Sequence, residues 1–261
     1  MFCLDKIKEK IKEKELVIGT VLVSDNNCVA ELMGKVGFDF VWIDGEHGPL
    51  DKKEILYHIM AAQGAGSAAF VRVAWNDPVL VKPILDMGAD GIIFPFIRNV
   101  EDAEKAISSC LYPPRGIRGY CPIRAIAYGV DDESEYIKKS SSLIWKILQI
   151  EHIDAVNNLD EILKVEGVDA IMVGPMDLSG SIGLLGQIDH PEVKKLCDRT
   201  AEKAKEYNIP FGAAVGFNLK AIKEWVTRGI NWINVGDDYS LLVKSAKDTL
   251  KDIGEILKNN K

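Results

Sequence analysis

Two rhythms of apolar residues alternate along the chain. Short continuous runs rich in β-branched and aromatic residues occur at 16–23, 38–43, 68–73, 91–97, 145–150, 169–173, 210–215 and 231–235. Runs of this length and kind read as strands buried on both faces. Between them the apolar positions recur with helical spacing. Helices are expected from Asn27 to Lys35 (closed by Gly37), from Asp51 to Gln63, from Asn76-Asp77-Pro78 to Met87-Gly88, and over 100–110. Further helices are expected over 131–140, 155–165, from His190-Pro191 to Tyr207, over 219–228 and over 241–257. Asp51 with Glu54 three residues on has capping-box spacing, and Pro78 suits a first helical turn. An amphipathic helix with Ile7, Ile11 and Leu16 is expected over 1–16, and the polar tail 258–261 is expected to fray.

Strands alternating with helices predict a parallel sheet with crossover connections. Eight such units in 261 residues fit a closed (β/α)8 TIM barrel as a single domain over 1–261, since such barrels run to about 250 residues. An open doubly wound sheet is the alternative, but no GxGxxG follows the first strand. One irregular segment stands out at 111–130, with Pro113, Pro114, Gly116, Gly119, Pro122 and Gly129. Structureless segments this long in a compact domain are usually functional or disordered.

A barrel presents its chemistry at the carboxyl ends of its strands. Asp44, Glu46 and His47 follow strand two, and Arg72 ends strand three. Gln149 and Glu151 end strand five, Asp177 follows strand six, and Asp237 and Asp238 follow strand eight. Arg115, Arg118 and Arg124 of the irregular segment are counted with this set. Gln149 and Glu151 share strand parity and so one face. Glu151 with Asp177 suits a hard divalent cation such as Mg²⁺ or Mn²⁺. The structural alternatives are a Glu151–Arg72 ion pair and an Asp177 helix cap. Arg72 reads either as an ion-pair partner of Glu151 or Asp44, or as a fixed cation for a developing oxyanion. His47 reads as a general base or a loop histidine. Asp86, near a helix C-terminus, reads from position alone as a surface carboxylate. His58 reads as structural. His152 and Lys146 have the opposite parity to Glu151 and point away, so a Schiff-base lysine is not expected.

Composition narrows the partners. Hydrophobic residues at 47% and charged residues at 27% are those of a globular protein. A net charge of −7 without a basic block argues against nucleic acid or an anionic membrane as partner. Nothing approaches the roughly 20 apolar residues of a membrane span, and the N-terminus lacks the apolar core of a signal peptide. Five scattered cysteines without a CxxC pair suggest neither a disulfide framework nor a thiolate metal site, and a reducing cytoplasm is the expected setting.

Five segments in order carry a resemblance. They are Trp42-Ile43-Asp44-Gly45-Glu46-His47-Gly48-Pro49, Arg72-Val73-Ala74-Trp75-Asn76-Asp77-Pro78, Tyr112-Pro113-Pro114-Arg115-Gly116-Ile117-Arg118-Gly119, Gln149-Ile150-Glu151 and Gly174-Pro175-Met176-Asp177-Leu178-Ser179. Together they resemble the HpcH/HpaI family of metal-dependent class II pyruvate aldolases, over about Gly19 to Leu242. The resemblance implies that Glu151 and Asp177 bind a divalent cation (Mg²⁺ or Mn²⁺, with Co²⁺ a third candidate). It implies that Arg72 binds the keto oxygen and stabilises an enolate. It makes His47 the base, Asp86 the acid paired with it, and Asp44 a supporting acid. Gln149 and the backbone N–H groups of Met176 and Asp177 would receive pyruvate. The substrates implied are a 2-oxo acid and an aldehyde, and the assembly a homohexamer with sites at subunit contacts. Met176 departs from a usual alanine and Asp237 from a common serine, which leaves the acceptor aldehyde open. A divalent-metal decarboxylase of oxaloacetate, a citrate-lyase-like enzyme of CoA esters and a non-catalytic ligand-binding barrel are the alternatives. Arg124 with the irregular segment is a candidate grip for a distal carboxylate.

Overall fold

The computed structural model describes residues 2–259, Phe2 by its backbone alone. The expected start of the first helix at Met1, and Asn260 and Lys261 of the expected frayed tail, lie outside the described residues. Eight parallel strands close in sequence order: β1 (Val17–Leu22), β2 (Phe40–Asp44), β3 (Ala68–Arg72), β4 (Gly91–Phe94), β5 (Trp145–Ile150), β6 (Ala170–Val173), β7 (Phe211–Val215) and β8 (Trp232–Asp237), with β8 pairing back to β1. This is the expected (β/α)8 barrel.

Aromatic packing fills the barrel. Phe40 and Phe70 stack at 5.1 Å, Phe70 and Trp145 at 5.7 Å, and Trp232 meets Phe40 edge-on at 5.7 Å. Rings this large fit because neighbouring strands carry glycine beside them. A Cβ at Gly19 would sit 2.3 Å from the Phe40 ring, and one at Gly212 would sit 2.2 Å from Trp232. Helix α1 (Phe2–Lys12) adds Cys3, Leu4 and Ile7 to this interior cluster. A second, larger apolar layer lies between the strands and the outer helices.

Capping chemistry sets the helix starts. Asn26, Asp51 and Asp77 accept backbone N–H groups at the starts of α2 (Asn27–Val36), α3 (Lys52–Gly64) and α4 (Pro78–Asp86), and the Asp51–Glu54 capping box is made. The helix expected over 155–165 is two short ones, α7 (Ile153–Asn157) and α8 (Leu159–Ile162), broken at Asn158. β4 is shorter than expected. Pro95 has no N–H for the ladder, and Phe96 turns with φ 51°.

The irregular segment lies at the opposite end of the barrel from that assumed above. It follows α5 (Val100–Cys110), which runs back from the catalytic face, and it leads through α6 (Glu133–Lys139) into β5. A helix-to-strand connection sits at the N-terminal face. Arg115, Arg118 and Arg124 therefore do not join the strand-end set of their own chain. Arg124 donates to Met87 O at 2.7 Å and Gln63 Oε1 at 2.8 Å, clipping the segment to α3 and α4. Within the chain this corrects its expected grip on a distal carboxylate. Arg115 pairs with exposed Glu166.

The closing helix, α12 (Asp238–Asn259), is longer than expected, and Asp238 is its one buried residue among those described. Leu242, Leu250, Ile253, Ile256 and Leu257 form an uncovered apolar stripe along it.

Candidate active site

The register of β2 and β3 sets Asp44 opposite Arg72 at the strand ends. Arg72 donates to Asp44 through Nε at 3.0 Å and Nη2 at 2.6 Å, a two-pronged geometry that only a guanidinium offers. Its plane lies over the Trp42 ring, with Cζ 4.8 Å from the centroid. Asp44 Oδ1 also accepts the N–H groups of Glu46 at 3.0 Å and His47 at 3.3 Å. One carboxylate thus fixes both the arginine and the loop that follows. Gly45 N–H donates to Arg72 O at 3.0 Å, and a Cβ at Gly45 would stand 2.8 Å from that oxygen. The loop can lie this close to β3 only with glycine there.

Glu46 turns inward. Its Oε2 is 2.8 Å from Arg72 Nη1 and 3.7 Å from His47 Nε2. The first contact has ion-pair distance without hydrogen-bond alignment. Burial pushes the Glu46 carboxyl up, Arg72 and His47 pull it down, and Asp44 and Asp177 push it up again. The His47 side chain is 67% exposed and stands at the mouth of the cavity.

Glu151 follows β5 and is buried. Its Oε1 accepts Phe96 N–H at 2.8 Å, and its Oε2 accepts from the Gln149 amide. Burial pushes its carboxyl up to about 7; the Phe96 bond opposes this, and Asp177 and Glu46 add to it. Gly174 makes room, since a Cβ there would sit 2.8 Å from Glu151 Oε2. Asp177 lies exposed in the first turn of α9 (Pro175–Ser181), whose N-cap Gly174 supplies no side-chain cap. Met176 is half exposed beside it. The Gln149 Oε1 atom is buried without a partner.

Asp44, Arg72, His47, Gln149, Met176 and Asp177 line one cavity of about 630 Å³, and Glu46 and Glu151 stand behind that lining. The carboxylates of Asp44, Glu46 and Glu151, with exposed Asp177 beside them, surround the Arg72 guanidinium. Two of its N–H donors are already taken by Asp44, while Lys194 and Arg228 line the same cavity. An excess of acid partly withdrawn from water favours a cation. The donors are all oxygen, which suits a hard divalent ion. Among the described residues no third histidine, cysteine or carboxylate completes a cage. Glu151 and Asp177 therefore fit an open site whose remaining positions fall to substrate and water.

Asp86 is the expected site residue that the chain does not bring here. As the last residue of α4 it lies at the N-terminal end of the barrel. Arg118 Nη2 donates to it at 3.1 Å, and burial pushes its carboxyl up against the pull of Arg118. Pairing with His47 is not made within one chain. His58 is buried between the carbonyl oxygens of Glu54 and Ser24, His152 caps α7, and Lys146 pairs with Asp169 away from the cavity, each as its position predicted. Asp237 accepts Ser240 N–H at 2.9 Å at the start of α12.

Comparison with known proteins gives the family and the fold. The model of the HpcH/HpaI aldolase/citrate lyase family matches residues 18–245. A 5-keto-4-deoxy-D-glucarate aldolase of Enterobacter sp. (strain 638) is 37% identical over 251 residues, 95% of this chain and 96% of the relative. The crystal structure of an HpcH/HpaI aldolase/citrate lyase family protein from Burkholderia cenocepacia J2315 superposes with a TM-score of 0.90 at 30% identity, covering 95% of this chain and 98% of that one. An HpcH/HpaI aldolase from Desulfitobacterium hafniense DCB-2 gives 0.88 at 28% identity, covering 95% and 96%.

Proposed function

The chain belongs to the HpcH/HpaI aldolase/citrate lyase family, and on that premise we propose that it reversibly cleaves a 4-hydroxy-2-oxo acid to pyruvate and an aldehyde. The observation that carries the reading is Arg72, locked by Asp44 at the strand ends and facing a cavity bordered by Gln149 and Asp177. The relatives named for 5-keto-4-deoxy-D-glucarate support a substrate with a second carboxylate at its far end.

Glu151 and Asp177 would hold a divalent cation, Mg²⁺ or Mn²⁺ with Co²⁺ a third candidate. When bound, the cation supplies a Lewis acid to the oxygens of the 2-oxo acid. Gln149 and the backbone N–H groups of Met176 and Asp177, at the uncapped start of α9, receive the substrate carboxylate. His47 takes the proton of the C4 hydroxyl. The C4 oxygen then forms the aldehyde carbonyl, and the C3–C4 electron pair moves to C2–C3 to give an enolate. The guanidinium N–H groups of Arg72 not spent on Asp44 face the enolate oxygen, and being fixed beforehand they need no reorganisation. Protonation at C3 gives pyruvate.

Asp86 enters through assembly. It lies at the far end of its own barrel, so it reaches a His47 only in a neighbouring copy. A homohexamer with sites at subunit contacts accounts for this, and the uncovered stripe of α12 supports association. The setting is a reducing cytoplasm; no helix among the described residues is long and apolar enough to cross a membrane.

Pyruvate release from 5-keto-4-deoxy-D-glucarate, coupled to lactate dehydrogenase, tests the proposal. Release that needs a divalent cation supports it. Decarboxylation of oxaloacetate without cleavage of any 4-hydroxy-2-oxo acid overturns the aldolase assignment.

A further inference from the structure

Strand parity turns Asn234 into the barrel. Trp232, two residues earlier on β8, belongs to the interior aromatic cluster, and alternate residues of a strand share a face. Asn234 is buried, and it lines the same cavity as Arg72 and Asp177. Its ladder neighbours are Gly19 of β1 and Ala214 of β7. Neither carries more than a methyl group, so this side of the cavity opens around a single amide. Thr20 Oγ1 and Asn234 Nδ2 both donate to Gly236 O, at 3.4 and 3.3 Å. The amide nitrogen is thereby spent, and Asn234 Oδ1 is left buried without a partner. A buried acceptor costs free energy until something donates to it.

The other polar side chains on this side are committed. Lys194 pairs with Asp189 and Glu224, Arg228 with Asp198, and Asp237 with Ser240, while Asn218 caps the helix after β7. Unpartnered Trp42 Nε1 and Gln149 Oε1 belong to β2 and β5, on the side assigned to pyruvate. Val173 pairs with Ala213, and Ala214 with Asn234, so Asn234 lies two strands from Gly174, which precedes α9. Neighbouring strands stand about 4.8 Å apart, which puts the two backbones about 10 Å apart. A substrate whose carboxylate is received at α9 spans that gap with its aldehyde half.

Resting on the aldolase reading, we propose that Asn234 determines acceptor specificity: its Oδ1 accepts a hydrogen bond from a hydroxyl on the carbon beside the aldehyde. An amide oxygen only accepts, so it pairs with a hydroxyl and not with an alkyl group. An apolar analogue leaves Oδ1 buried and unpaired, which is how a polar site rejects it.

The test uses the intact protein with Mg²⁺, pyruvate, and two aldehydes of the same size, glycolaldehyde and propionaldehyde. The kcat/KM ratio of the two is compared between wild type, Asn234→Leu and Asn234→Ala, which cancels the aldehydes' own reactivities. The ratio should fall about tenfold in both variants, the scale of one neutral hydrogen bond. Exchange of pyruvate methyl protons in D₂O, the half-reaction that uses no aldehyde, should stay within about twofold of wild type. It also shows that each variant is folded. An unchanged ratio in either variant that retains exchange overturns the proposal. So does a parallel loss of exchange and of addition to both aldehydes, which marks a purely structural role. Wild-type protein that exchanges no methyl protons defeats the aldolase reading, and the assignment of Asn234 with it.

Discussion

Replacing Arg72 by alanine strips a guanidinium from two buried carboxylates at once. The Asp44 and Glu46 side chains are only 4% and 9% exposed, and Arg72 faces both. Breaking one side of a buried ion pair costs about 3–5 kcal/mol. Asp44 keeps two backbone N–H donors, so the expected loss lies near the lower bound, about 3 kcal/mol. Glu46 loses the largest influence that holds its carboxyl down, and its raised pKa rises further. A raised carboxyl costs stability above its unfolded value, so the deficit should be larger at pH 8 than at pH 5. Urea unfolding at both pH values, with chelator present, measures it. Loss of the enolate partner should also slow pyruvate enolisation by about 10²–10³-fold. Arg72→Lys should recover part of the stability, since a lysine restores the charge without the fork. A loss under about 1 kcal/mol in Arg72→Ala, or enolisation at the wild-type rate, would refute the reasoning.

Glu151, held up at about 7 against 4.5, should make the chelated protein lose about 3 kcal/mol as pH rises from below 4.5 through 7; Glu151→Gln should flatten that slope in urea titrations. Adding Mg²⁺ or Mn²⁺ at pH 8 should raise the melting temperature of wild type and leave Glu151→Gln unmoved. Gly45→Ala sets a Cβ 2.8 Å from Arg72 O and should cost about 1–3 kcal/mol by thermal melting, with kcat falling as the loop shifts. Borohydride with pyruvate should trap no adduct by mass spectrometry, and Lys146→Met should still enolise pyruvate, because Lys146 is bound to Asp169 away from the cavity.

The barrel was legible because β2 to β6 are buried on both faces and so read as unbroken apolar runs, and because Asp51 and Asp77 mark helix starts by their chemistry. Strand parity separated Glu151 from Lys146 correctly for the same local reason. What failed was long-range. The 111–130 segment looked functional by composition, but its place between a helix and a strand puts it at the N-terminal face, a rule of chain direction that its residues do not display. The Arg118–Asp86 contact spans 32 positions and has no local signal. Glu46 lies within a conspicuous motif, yet its closeness to Arg72, 2.8 Å, depends on the β2–β3 register. The α12 stripe is plain as a helical pattern, while its lack of cover is a property of the folded chain.

Exchange of the pyruvate methyl protons in D₂O, followed by NMR, tests the central claim most directly because it needs no knowledge of the aldehyde. Wild-type protein should exchange them only with a divalent cation and stop when chelator is added, and Arg72→Ala should be slowed as above. Absence of exchange with Mg²⁺, Mn²⁺ and Co²⁺ alike would contradict the account.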